Sequence, residues 1–222
     1  MIFLDVVYIN LEAKQGKRSW LIVYDVATGG LRIRAVKHKY EIATQWDQVI
    51  VEESLHKRKD VRVTVGADGD GVMSLIKEVS RKRGVAYLPI PPYSYVLNMV
   101  EGAVNYLKIG VASILLSACT TDGPLTVRDV NAAAEHLRFI HERFVKARVS
   151  DNYCGERQDL RSPWFLNTGL EAQVHKLVPW GTPGYAYVPK ARRQARGAPI
   201  YRRTEPVLCY GYQHMCTYVY KC

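Results

Sequence analysis

Residues 60–108 run DVRVTVGADGDGVMSLIKEVSRKRGVAYLPIPPYSYVLNMVEGAVNYLK, and the switching of hydrophobic period along this stretch decides the fold class. DVRVTV is rich in β-branched residues and reads as a strand that runs into a glycine loop, GADGDG. VMSLIKEVSRKR has helical spacing and is closed by Gly84 as C-cap. VAYLPI is a second short strand. After the Pro-Pro-Tyr turn the pattern predicts a helix from about Leu97 to Ala118, with Glu101, Asn105 and Lys108 at i, i+4 and i+7 on one face. Strand and helix in alternation predict parallel strand pairs joined by right-handed crossovers.

Upstream, IFLDVVYI (2–9), WLIVYDVA (20–27) and LRIRAVK (31–37), the last two joined at Gly29-Gly30, predict an antiparallel three-stranded meander. Between Lys39 and Lys57 the apolar positions Ile42, Trp46, Val49, Ile50 and Leu55 predict a helix. The order β-β-β-α-β-α-β-α is that of an α/β fold, a mixed five-stranded sheet flanked by helices. A second long helix follows Thr126, with Asp129 three residues on as its capping partner. RSPWFLNTG reads as a capped turn or short helix. Beyond Lys176 proline, glycine and tyrosine recur among short β-type runs, which predicts a small β-barrel-like extension. Three segments result: 1–150 as the core, 151–176 as a connector and 177–222 as a small basic β module.

The chain has 222 residues, 48% of them hydrophobic, and a formal charge of +10. It is long enough to bury a substantial core. The excess of base predicts a polyanionic partner, nucleic acid or an acidic membrane surface. From Lys176 to Arg203 there are seven Lys or Arg and no Asp or Glu, so Lys190, Arg192, Arg193, Arg196, Arg202 and Arg203 are candidates for phosphate contacts. The most apolar stretch, IGVASILLSA, falls well short of the ~20 residues a membrane span needs. Five widely spaced cysteines without a C-x-x-C pair argue against a disulfide framework, and neither they nor the six histidines have zinc-ligand spacing. The histidines are expected in surface or packing roles, and the protein is expected to be soluble, intracellular and not secreted.

Three acids stand out by position. Asp5 lies mid-strand among apolar residues, where a carboxylate is costly to bury unless paired or bound to a cation. Asp68 follows a later strand, and Glu101 opens the helix after the proline turn. Three such oxygen ligands suit Mg²⁺, a hard ion that binds beside substrate phosphates, and two ions ~4 Å apart clamp the attacking and leaving oxygens of phosphoryl transfer. Each acid also has a plainer reading: Asp5 facing solvent, Asp68 and Asp70 forming a turn, Glu101 complementing the helix dipole.

In their order along the chain, Asp5, Asp68 and Glu101 resemble the three acids of the DDE integrase and transposase superfamily. Asp68-Gly69-Asp70-Gly71, Gly84, Pro92-Tyr93, Asn98 and Glu101 are most similar to the integrases of copia-type LTR retrotransposons. The tail from SPWFLNTGLEAQVHKLVPWGTPGYAYVPK onward looks like the stretch that leads those enzymes into an SH3-like module. The resemblance implies an RNase H-like core in which Asp5, Asp68 and Glu101 bind Mg²⁺ or Mn²⁺, two ions in all, for phosphodiester cleavage and DNA strand transfer. It further implies DNA contacts at Asn98, Asn105 and Lys108, self-association as a homo-oligomer on DNA ends and target, and a nuclear place of action. PPYSYVLNMVE is also similar to mariner-type transposases, which use the same chemistry. The segment from Asp68 to Glu101 is shorter than the family pattern, which keeps open a degenerate or domesticated module that binds DNA without cutting it. An RNase H-type hydrolase of RNA–DNA hybrids is a third reading.

Overall fold

β1 (Ile2–Ile9), β2 (Arg18–Asp25) and β3 (Gly30–Val36) form the antiparallel meander, in register Ile2 to Asp25 and Ser19 to Val36. Asp25 shapes the tight β2–β3 turn: its carboxylate accepts from Ala27 N–H at 3.1 Å and Thr28 Oγ1–H at 2.9 Å. Gly29 takes the φ of +69° that the turn requires. β4 (Arg62–Val65) then pairs with β1 in parallel, and β5 (Ala86–Pro89) with β4, giving one mixed sheet of order β3-β2-β1-β4-β5. This computed structural model describes residues 2–9, 18–57, 62–65, 72–89, 99–117, 126–144, 162–172, 174, 177, 179–187, 204–213 and 217–221.

Strand alternation sends successive side chains to opposite faces, and each face has its own core. Ile2, Leu4, Leu21 and Val23 pack with Ile42, Trp46, Ile50 and Ile76 of α1 (Glu41–Glu52) and α2 (Val72–Lys82). On the other face Phe3, Val7, Trp20 and Ile22 meet α3 (Met99–Ser117) and α4 (Val127–Phe144) through Val104, Leu107, Ala133 and Ala134. Each Val, Leu, Ile or Phe among them contributes about 1.5–3 kcal/mol by leaving water. The two buried indoles find acceptors: Trp46 Nε1–H donates to Ser80 Oγ at 2.9 Å and Trp20 Nε1–H to Asn131 Oδ1 at 2.8 Å.

The helix expected to reach Lys57 stops at Glu52. Ser54 adopts a left-handed φ of +52°, and a single 3₁₀ turn, Leu55–Lys57, brings Leu55 back into the core. Elsewhere the termini follow the sequence closely. Asp129 accepts from Thr126 N–H at 2.8 Å and Thr126 Oγ1 accepts from Asp129 N–H at 3.3 Å, the reciprocal cap at the start of α4. α5 (Pro163–Thr168) starts on Ser162, whose Oγ accepts from Phe165 N–H at 3.2 Å, and ends on Gly169 at φ +73°. Towards the C-terminus β6 (Pro183–Tyr187), β7 (Thr204–Gln213) and β8 (Thr217–Lys221) form an antiparallel sheet of order β6-β7-β8, with β7 packed against α4. Among the described residues no helix is long and apolar enough to cross a membrane.

Candidate active-site rim

Asp5 occupies the middle of β1, opposite Ile22 of β2. Phe3 and Val7, two residues to either side, both belong to the core under α3 and α4, so parity puts Asp5 on that same face. Its carboxylate is half-buried and accepts from Val6 N–H at 2.7 Å. The β1–β4 ladder ends one residue earlier, at Leu4 opposite Val65, so Asp5 sits level with the place where β4 stops.

Glu101 lies in the first turn of α3, next to the fully buried Val100. α3 packs over β1 and β2 through Val100, Ala103, Val104 and Leu107. Asp5 and Glu101 therefore belong to one side of the sheet. Glu101 is exposed, as are Asn105 and Lys108 further along the same helix. Asp68, Asn98, Lys190, Arg192, Arg193, Arg196, Arg202 and Arg203 lie outside the described residues. Among the described residues no three His, Cys, Asp or Glu side chains are grouped to hold a metal. The donors that are placed, two carboxylates, fit a hard cation such as Mg²⁺ and not a thiolate- or imidazole-binding ion.

One polar cluster escapes a reading of the sequence. Glu142 is buried and accepts from Arg32 Nη1 and, at 3.0 Å, from Arg138 Nη1, while Arg32 Nε donates to Glu53 at 2.8 Å. This chain of charge ties α4 and the end of α1 to β3. The i, i+3 and i, i+4 spacing of Glu135, Arg138 and Glu142 hints at the α4 part, but nothing in the sequence marks Arg32. Two histidines of α4, His136 and His141, are buried and take the packing role expected of them. His141 Nε2–H donates to Gly29 O at 3.0 Å, and its ring is tilted against Tyr106. Burial lowers its pKa, partly offset by that hydrogen bond. His136 stands edge-on to Trp180, ring centroids 5.7 Å apart, and burial pushes it down to about 4. His38 and His56 are exposed, while His175 and His214 lie outside the described residues.

Comparison with protein families finds no match, and comparison with curated protein sequences finds none either. Solved structures do match. The simian T-cell lymphotropic virus intasome, in complex with PP2A regulatory subunit B56 gamma, aligns over 94% of this chain and 67% of its own, at 10% identity and a TM-score of 0.54. The HTLV-2 integrase catalytic core domain in complex with magnesium aligns over 75% of this chain and 94% of its own. In its dimeric form identity is 14% and the TM-score 0.50; in its trimeric form they are 13% and 0.51. The chain thus has the fold of a retroviral integrase catalytic core.

Proposed function

We propose that the chain is a retrotransposon-type integrase: a core that cleaves DNA phosphodiesters and joins DNA strands with Mg²⁺ or Mn²⁺, followed by a small basic module of SH3-like type. The observation that carries this reading is the pairing of an integrase-core fold with two carboxylates, Asp5 and Glu101, on the same side of its sheet. Asp68, three residues after β4, is assigned as their third partner.

In this reading Asp5, Asp68 and Glu101 hold the cations. Bound there, the metal supplies Lewis-acid stabilisation of charge on the attacking and leaving oxygens. The remaining work falls to the chain. Water, or a DNA 3′-hydroxyl, attacks phosphorus in line; a new P–O bond forms as the bond to the 3′-oxygen breaks, and that oxygen leaves as a hydroxyl. Asn98, Asn105 and Lys108 position the DNA end along α3, and Lys190, Arg192, Arg193, Arg196, Arg202 and Arg203 neutralise phosphates without reading sequence. Two ends and a target are handled by a homo-oligomer acting on nuclear DNA. The segmentation 1–150, 151–176 and 177–222 belongs to the same proposal.

The test is a nicking and joining assay with labelled linear DNA and Mg²⁺ or Mn²⁺, comparing the parent with Asp68→Asn and Glu101→Gln. Products from the parent alone are expected. Equal binding of DNA by all three proteins, with no product from any, would replace this reading with that of a DNA-binding module without catalysis, which the short Asp68–Glu101 segment favours.

A further inference from the structure

Residues 37–40, Lys-His-Lys-Tyr, close β3 and open α1. His38 and Tyr40 stack with ring centroids 5.2 Å apart and planes 7° from parallel. Lys39 Nζ lies 5.6 Å from the centroid of the Tyr8 ring on β1. Both tyrosines face water, Tyr40 with 69% and Tyr8 with 48% of its surface exposed. Lys37 at the start of this stretch and Glu41 just after it also line a cavity of about 570 Å³ between β3, the start of α1 and the first turns of α4, with Arg128 and Glu135 among its other walls. Its acids are engaged: Glu41 accepts from Lys37 N–H at 2.9 Å and Glu135 from Arg138 Nε at 2.8 Å. Lys37 and Arg128 are exposed.

The register fixes where this ledge stands. Tyr8 pairs with Ser19 and Ser19 with Val36, so the ends of β1 and β3 are level at the rim toward which β4 and β5 also run. Tyr8 lies three residues past Asp5, about 10 Å along the strand. By parity its side chain takes the α1 and α2 face while Asp5 takes the α3 and α4 face, so a chain leaving Asp5 reaches it around the end of β1. A flat, pre-stacked aromatic pair beside several cations matches a stacked base and its phosphates; an acidic peptide would use the cations and leave the rings idle.

We propose that this ledge binds unpaired nucleotides of a DNA end engaged at the Asp5 rim, one base stacking on the His38–Tyr40 pair while Lys37, Lys39 and Arg128 meet the flanking phosphates. The assignment rests on the DNA-processing reading of that rim. It is tested by fluorescence anisotropy in EDTA, with one labelled duplex prepared blunt or with a short single-stranded extension. The extension tightens binding about tenfold, the effect of stacking one base. Tyr40→Ala abolishes that preference without weakening blunt-duplex binding or lowering the melting temperature, and Tyr40→Phe retains it. Arg128→Gln lowers the salt slope by about one for the extended duplex and leaves that of the blunt duplex unchanged. An unchanged preference in Tyr40→Ala overturns the proposal. So does polyglutamate displacing the extended duplex as well as nucleic acid does from parent and variant alike, since the ledge is then a surface for acidic protein. Because no metal is present, a Tyr40-dependent preference in a protein that never nicks DNA leaves the ledge standing and removes the catalytic reading. Nicking without such a preference does the reverse.

Discussion

Replacing His136 with Leu should flatten the dependence of stability on pH between 7 and 5. His136 is 2% exposed, held on α4 edge-on to Trp180 in the stretch that leads into β6, and burial takes its pKa from 6.5 to about 4. Between those values the unfolded chain binds the proton and the folded chain does not, so stability rises with pH across the window. The contribution is complete above pH 6.5 and is lost as pH falls towards 4. Moving from pH 7 to pH 5 removes about 2 kcal/mol, and the loss levels off at about 3 kcal/mol below pH 4. His141 is lowered in the same direction and adds to the slope of both proteins. The carboxyls of Glu41, Asp47 and Glu78 are held below their ordinary range by a backbone N–H, Arg83 and Lys82 respectively, so their titration falls outside this window. Urea unfolding at pH 7, 6 and 5 gives the comparison: the parent should lose about 2 kcal/mol more than His136→Leu. Parallel losses would refute the reasoning, because they would mean that His136 accepts its proton in the fold as readily as in the unfolded chain.

Glu142→Ala removes the buried carboxylate shared by two guanidiniums whose side chains are only 25% and 23% exposed. Each is left with one carboxylate, Glu53 for Arg32 and Glu135 for Arg138, so a thermal melt should record a loss of about 1.5–3 kcal/mol. A Cβ built on Gly110 of α3 would stand 2.3 Å from Leu137 Cδ2 and 3.3 Å from its Cγ, whereas one on Gly102 meets nothing within 4 Å. Gly110→Val should therefore destabilise by about 1–3 kcal/mol through overpacking against α4. Gly102→Ala on the same helix should stabilise by up to about 1 kcal/mol, with denaturant midpoints separating the two signs.

The helices were legible because their signals are local. The 3.6-residue period from Ile42 to Ile50, the Thr126–Asp129 box and Ser162 with Gly169 each act within a turn or two of their own chain, and all form as their residue types dictate. Ser54 illustrates the limit: the apolar spacing runs on to Leu55, but the backbone reverses its φ for one residue to bring that leucine home. The place of β1 at the centre of the sheet was not legible, since pairing Ile2–Leu4 with 63–65 joins segments some sixty residues apart and leaves no local mark. Of the candidate site, the sequence names the acids and their elements. It does not say which face of β1 Asp5 takes, because Leu4, Val6 and Val7 are apolar on both sides of it and only the burial of Phe3 with Val7 beneath α3 resolves the parity.

That parity also accounts for how a half-buried carboxylate is tolerated. From Asp5 onward β1 keeps its β2 partner as far as Ile9, while among the described residues β4 accompanies it only to Leu4. The described part of β4 thus ends at the level of the acid. In open α/β sheets such a place, beyond the carboxyl ends of parallel strands, is where ligands bind. Phe3 and Val7 anchor β1 on both sides of Asp5, and Val100, Ala103 and Val104 anchor α3 on both sides of Glu101. Each carboxylate is thus placed by apolar neighbours on its own element, whose burial fixes where on the sheet or helix the acid stands.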